Sequence, residues 1–139
     1  MIISEWNQSS QEKNEILNLA LKAFGECELT NPDYFDWQYQ NNPNGEAVLI
    51  TVKDPDKNNA IIGLNAFLPM SLIKNQKEIQ CYLSCNSIVD PNYRGKGIFT
   101  QLLSQIPEIF SKSRAPSIFA SGNNPSNSDT FRLRLTEFA

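Results

Sequence analysis

Ile79-Gln-Cys-Tyr-Leu-Ser-Cys-Asn-Ser-Ile-Val-Asp-Pro-Asn-Tyr-Arg-Gly-Lys-Gly-Ile-Phe-Thr-Gln-Leu-Leu103 is the stretch on which the reading of this chain turns. It reads as a strand, a turn, a basic glycine loop and a helix. Asp90-Pro91 ends the strand, because proline has no ladder N–H and fixes φ. Gly95 and Gly97 then leave the backbone bare of Cβ atoms. Ile98, Leu102 and Leu103 begin a helical spacing, so the loop's N–H groups stand at a helix N-terminus. Arg94 and Lys96 add positive charge there. A turn whose glycines serve φ alone is the plainer reading of a single Gly-x-Gly. The strand before it, the helix after it and the two cations favour a site for a phosphate-type anion.

Upstream, three runs read as strands. Ala47 to Val52 is β-branched and apolar, Asp54-Pro-Asp-Lys-Asn-Asn59 turns the chain, and Ala60 to Leu68 returns as hairpin partner. Pro69 is expected to interrupt, Met70 to Ile73 to extend the pairing, and Lys74 to Lys77 to turn again. The run from Glu78 to Val89 is the longest candidate. Its alternation puts Ile79, Cys81, Leu83, Cys85 and Val89 on a core-like face, and Gln80, Tyr82, Ser84 and Asn86 on a partly wet one.

At the N-terminus, Met1-Ile-Ile3 suits a first strand. Ser9-x-x-Glu12 has the form of a capping box, followed by the stripe Ile16, Leu17, Ala20, Leu21 and Phe24 with Gly25 as stop. Asn31-Pro32 caps a short second helix carrying Tyr34, Phe35, Trp37 and Tyr39, a cluster read as core, before the turn Asn41 to Gly45. Downstream, the helix from Ile98 towards Ser113 contains Pro107, which predicts a kink or split near Ser104–Ile106. Pro116 to Ala120 reads as a strand, Gly122 to Ser126 as a turn, and Asn127 or Ser128 as the cap of a last helix. The order implies an α/β (α+β) sandwich around one mixed sheet in a single domain spanning 1–139.

The composition narrows the function classes. A net charge of −3 argues against general nucleic-acid binding, which needs a basic face. No apolar run approaches the ~18 residues of a membrane span, and no signal-peptide pattern opens the chain. Cys27, Cys81 and Cys85 lack framework or metal spacing, so a reduced, cytoplasmic setting without a metal is expected. The sequence has 0 histidines, which removes Ser-His and Cys-His nucleophile pairs. A nucleotide P-loop is also excluded, because Gly95-Lys-Gly97 is not followed by Gly-Lys-Ser/Thr.

This order of elements around Val89-Asp-Pro-Asn-Tyr-Arg-Gly-Lys-Gly-Ile98 resembles the GNAT superfamily of N-acyltransferases. That family's pyrophosphate loop has the form Arg/Gln-x-x-Gly-x-Gly/Ala. Arg94 and Gly97 match its first and fourth positions, and Phe99 departs at the sixth, as in similar subgroups with Gly-Ile-Phe. Tyr34-Phe-Asp-Trp-Gln-Tyr39 with Asn42-Pro-Asn-Gly45 looks like the opening of a subgroup found in longer bacterial proteins. Asn123-Asn-Pro-Ser-Asn-Ser128 with Phe131 looks like a weakened second motif, which brings in Asn124.

The resemblance implies a mainly antiparallel sheet flanked by helices and an acyl-CoA co-substrate, most simply acetyl-CoA. Backbone groups around Gly95, Lys96, Gly97, Ile98 and Phe99, beside Arg94, would hold the pyrophosphate, and Ile88 and Val89 the pantetheine arm. The cofactor would lie where that strand splays from Ser117–Ala120. The acceptor would be a small-molecule, sugar-amine or peptide amine. Two departures stand out. Family members continue into two further strands, whereas this chain ends at Ala139, so a C-terminally truncated domain, or one completed by a homodimer partner or second chain, is expected. Members often use a carboxylate on the strand before the loop and a tyrosine in the last helix. Residues 79–89 hold no carboxylate here, and Phe131 stands without a Tyr. A degenerate, non-catalytic acyl-CoA-binding domain is therefore the alternative, and Tyr82, Ser84, Asn86 and Ser87 are left as groups that orient a substrate or as satisfied sheet residues.

Overall fold

Val48-Leu-Ile-Thr-Val52 is apolar towards both sides, and it becomes a sheet-centre strand with every one of these residues at most 1% exposed. The computed structural model describes residues 1–113 and 118–121. Around that strand a five-stranded sheet forms in the order β1 (Ile2–Glu5), β2 (Val48–Asp54), β3 (Ala60–Lys74), β4 (Lys77–Val89), β5 (Ile118–Ser121). Successive strands pair antiparallel up to β4, and β4 pairs with β5 in parallel. The mixed, mainly antiparallel sheet is as the sequence implied.

Helices cover both faces. Helix α1 (Ser10–Phe24) and the short α2 (Pro32–Phe35) cover one, where Trp6, Ile16, Leu19, Phe35 and Tyr39 pack on Leu49, Leu64, Ala66 and Ile88. Helix α3 (Ile98–Ser113) covers the other, where Ile98, Leu102, Ile106 and Phe110 meet Val48, Ile50, Val52 and Phe67. Ser9 caps α1 by accepting from the Glu12 N–H at 3.1 Å, and Gly25 closes it at φ +74°. The reciprocal half of the capping box does not form. Glu12 instead accepts from the Asn7 N–H at 2.8 Å and pairs with Lys53, so a buried carboxylate ties α1 to β2.

Several expectations are corrected. Pro69 does not interrupt β3, which pairs with β4 through Pro69↔Tyr82. The β2 ladder stops at Val48↔Phe67, so past that point one side of β3 is an edge where a missing N–H costs no ladder bond. Pro107 does not split α3, which runs unbroken to Ser113. The bond it deletes would have ended on Leu103, a residue on the solvent side (37% exposed), where water can hydrate the carbonyl. The second helix is only one turn long, passing into a wider turn over Asp36–Gln40. Of its aromatics Phe35 and Tyr39 are core, whereas Trp37 is 60% exposed.

The largest correction concerns β4. Leu64 pairs with Ile88 and Ala66 with Cys85, so β4 carries one extra residue there, with Asn86 at φ +50°. The bulge inverts the facing of everything after it. Cys85 and Ile88 share the α1 side, while Val89 joins the α3 side, and not the face of Cys85. Tyr82 is not on a wet face, since its ring packs on Phe110 with centroids 5.3 Å apart.

This packing makes a direct stability prediction. Leu49→Ala, at a site that is 0% exposed, is expected to cost about 2–5 kcal/mol in urea unfolding. Leu21→Ala, on the 46% exposed side of α1, is expected to change stability by about 0.5 kcal/mol or less.

Candidate functional site

Asp90 ends β4 and starts the loop. Its Oδ1 accepts from the Asn92 N–H at 2.8 Å, and its carbonyl accepts from the Tyr93 N–H at 2.8 Å, which winds Pro91–Tyr93 into one tight turn. Its Oδ2 accepts from Lys22 Nζ of α1 at 2.6 Å, and its own N–H donates to the Ile62 carbonyl at 2.8 Å. Tyr93 then donates its hydroxyl to Asp54 Oδ2 at 2.5 Å, fastening the loop to the turn between β2 and β3. Asp54 heads a matching Asp-Pro turn, accepting from the Asp56 N–H at 3.0 Å.

The glycine segment rests on these anchors. Gly95 has φ +76° and Gly97 φ +73°, a region that strains any side chain, and a Cβ at either position would meet nothing within 4 Å. The bare face of the loop is thus open space. The Gly97 carbonyl accepts from the Gln101 N–H at 3.0 Å, so the free N–H groups that follow belong to the first turn of the 16-residue α3. Arg94 Nε folds back onto the Val89 carbonyl at 3.3 Å, and Lys96 Nζ lies 5.0 Å above the Tyr93 ring.

Charge is managed by the same contacts. Burial works against an ionised Asp90, but the Lys22 hydrogen bond, the Asn92 N–H and the charges of Lys22 and Arg94 outweigh it and hold the carboxyl below its usual range. Asp54 is lowered chiefly by the Tyr93 hydroxyl, and the same hydrogen bond pushes Tyr93 up to about 12, so it remains a donor at neutral pH.

Among the described residues the end of β4 is unpaired on its other side. Strand β5 pairs only with Cys81 to Ser84, so among the described residues no strand borders Cys85–Val89 there. At the inner end of this gap the bulged Asn86 donates to Tyr39 Oη at 2.8 Å and to Gln38 Oε1 at 3.3 Å. Burial pushes the Cys85 thiol up to about 11, raises Cys81, and leads the rise at Tyr39. Tyr34 is raised by burial and then by Glu28. On the opposite face the fully buried Asn65 accepts from Ser87 Oγ at 2.7 Å and donates to Ser84 Oγ at 3.1 Å. Ser84 and Ser87 are therefore satisfied sheet residues. Burial therefore favours the thiol form of Cys81 and Cys85 over a thiolate nucleophile.

Of the residues expected from sequence, Arg94, Gly95, Lys96, Gly97, Ile98 and Phe99 come together at the α3 N-terminus. Ile88 and Val89 end the strand leading to it. The side chains of Ile88 and Ile98 are buried in opposite cores, so only their backbones are available to a ligand. Asn124, Phe131 and the last helix lie outside the described residues. Sequence reading missed Lys22, Asp54 and Tyr93, although the paired Asp-Pro turns at 54 and 90 were visible signals. Among the described residues no three His, Cys, Asp or Glu side chains group as a metal site, and no helix is long and apolar enough to cross a membrane.

The Lys22–Asp90 pair should be visible in acid unfolding. A carboxyl lowered by folding contributes stability above its unfolded value and loses it as pH falls through the folded value. The stability gap between wild type and Lys22→Met is expected to be largest near neutral pH and to close as pH falls below about 4, measured by urea melts across pH.

Comparison with known proteins bears on the fold. No protein-family model and no curated protein matches the sequence. Among solved structures, the chain is similar to an aminoglycoside 6′-N-acetyltransferase complexed with coenzyme A (TM-score 0.61, 17% identity), covering 88% of this chain and 62% of that one. It therefore spans less than two thirds of that relative's length. It is similar to a GNAT family acetyltransferase of Staphylococcus aureus (TM-score 0.61, 20% identity, 93% of this chain and 90% of that one). A longer Enterococcus faecalis protein of unknown function matches at TM-score 0.65 and 13% identity, over 90% of this chain and 30% of that one. The described chain has the fold of the GNAT acetyltransferases.

Proposed function

We propose that this chain binds acyl-CoA and transfers its acyl group, most simply acetyl, to an amine. The observation that carries the reading is the open, glycine-bare loop at the start of α3, standing beside a strand end that the described residues of β5 do not pair. In this reading the N–H groups of Gly95 to Phe99 take the pyrophosphate, with Arg94 and Lys96 adding charge. The backbone of Ile88 and Val89 takes the pantetheine arm, which runs along the unpaired edge of β4 towards Cys85 and Asn86. The thioester would then lie at the bulge. Residues 1–139 act as one acyl-CoA-binding unit, with no nucleic acid or membrane as partner.

The transfer needs little from the protein beyond placement. The amine nitrogen bonds to the thioester carbonyl carbon, the C–S bond breaks, and the proton lost by nitrogen passes through solvent to the departing thiolate. Holding two reactants in attack geometry is itself worth about 7–11 kcal/mol in favourable cases. A second reading, acyl-CoA binding without turnover, is favoured by one observation. The polar groups around the bulge are engaged with each other, and the nearest titratable ones are shifted away from neutral function.

Calorimetry tests the assignment. Wild type should bind acetyl-CoA, and Gly97→Ala should keep most of that affinity, since its strain is present free and bound alike. Gly97→Trp, which fills the open space at φ +73°, should lose it by about tenfold or more. Absence of binding by wild type, or equal binding by Gly97→Trp, overturns the loop assignment. Thiol release with a panel of amines separates the two readings: release supports transfer, and binding without release supports the non-catalytic form.

A further inference from the structure

Between α1 and the wider turn at Asp36–Gln40, local hydrogen bonds fix the course of the chain. Thr30 Oγ1 donates to the Cys27 carbonyl at 2.8 Å, the Asn31 N–H donates to the Glu28 carbonyl at 3.1 Å, and Asn31 Oδ1 accepts from the Asp33 N–H at 2.8 Å. Glu28 and Tyr34 are thereby held on consecutive helical turns. The Glu28 carboxylate lies beside the Tyr34 hydroxyl, and both it and the Cys85 thiol add to the rise that burial gives that hydroxyl. The Tyr34 ring meets Trp37 at a tilt of 45°, with centroids 5.5 Å apart. Tyr39, which receives the Asn86 amide at 2.8 Å, lies near both Tyr34 and Cys85. One wall of aromatic faces and a carboxylate therefore runs from solvent at Trp37 to the bulge at Cys85 and Asn86.

Packing does not account for the outer part of this wall. Phe35 and Tyr39 are buried, but the indole of Trp37 remains in water. Among the described residues Glu28 forms no ion pair, whereas Asp36 is held by Lys13 at 2.5 Å. No lysine or arginine occurs between Lys22 and Lys53. A carboxylate set beside two aromatic faces, with no basic residue in its own segment, attracts a cation.

That cation is not the nitrogen that reacts. Attack on a thioester needs an unprotonated amine, and contact with a carboxylate keeps the proton on nitrogen. Glu28 instead suits a second ammonium group that stays charged throughout. We propose that the acceptor is a diamine or longer polyamine, with its distal ammonium held by Glu28, Tyr34 and Trp37 and its reacting nitrogen at the Cys85–Asn86 bulge. The proposal rests on the transfer reading and names the class of acceptor for it. The three side chains set specificity and touch none of the reacting atoms, so the bonds made and broken are those of the transfer itself.

The test follows thiol release from acetyl-CoA by the full chain with diaminobutane (an amine at each end), butylamine and aminobutanol, which match in length and differ at the distal end. Wild type is expected to favour diaminobutane over the other two by about tenfold in kcat/KM, expressed in KM, and added salt should shrink the ratio. Glu28 and Trp37 are exposed, so their variants should keep the fold. Glu28→Gln should cut the ratio to about threefold, Trp37→Ala should lower it by about twofold, and Glu28→Lys should abolish it. Glu78→Gln, at the other end of β4, should leave the ratio at its wild-type value, which separates the contact from net charge. Equal use of the three amines by wild type, a ratio untouched by Glu28→Lys, or an equal loss for all three amines in Glu28→Gln overturns the subsite and leaves the transfer reading standing. Absence of thiol release with every amine overturns both.

Discussion

The ionised carboxylate of Asp90, 7% exposed at the end of β4, is the constraint on which the loop depends. A buried charge is costly unless it is paired and hydrogen-bonded. Asp90 meets that demand with Lys22 of α1 and the Asn92 N–H of its own turn, while its backbone N–H donates to the Ile62 carbonyl of β3. One side chain therefore fixes where the strand stops, how the chain turns and where α1 stands relative to both. Gly95 and Gly97 have positive φ, which glycine adopts at little cost but does not enforce. Their position is set from outside, by Asp90 before them and by the Tyr93–Asp54 hydrogen bond.

The bulge at Asn86 is the second constraint, and it works with the first. An extra residue in β4 bends the strand just past its last pairing with the described residues of β5. The bend is held on one face by Asn86 reaching Tyr39 and Gln38, and on the other by Asn65 between Ser84 and Ser87. Both networks bury their polar atoms with partners, and among the described residues no buried side-chain nitrogen or oxygen is left without one.

Much of this was legible in the sequence where the signals were local. The apolar run at 48–52, the cap at Ser9, the stop at Gly25 and the strand–loop–helix at 79–103 each depend on neighbours within a few residues, and each appears close to where it was expected. What failed was set by tertiary context. Pro69 looked like a breaker because nothing in its own neighbourhood reveals that β2 begins only at Val48, opposite Phe67. The facing of Val89 was misassigned because a bulge carries no reliable residue signature, and one extra residue inverts all that follows. Lys22 and Asp90 are 68 residues apart, and Tyr93 and Asp54 are 39 apart, so neither pairing was available to a reading that runs along the chain.

Binding and chemistry are therefore supported unequally by the same arrangement. The loop is anchored by hydrogen bonds, open and positively charged, all of which suit a phosphate-bearing ligand. Around the bulge the reverse holds: Cys85 and Tyr39 are pushed up by burial, and the amide of Asn86 spends its N–H groups on holding the strand's shape. A transfer carried out there would draw its rate from the placement of thioester and amine, with the proton leaving through water. Such a reaction depends on the geometry of β4 more than on any one titrating group. Its sensitivity would lie in the residues that set the bulge, Asn86, Gln38 and Tyr39, which act on the reacting atoms only by fixing where the strand bends.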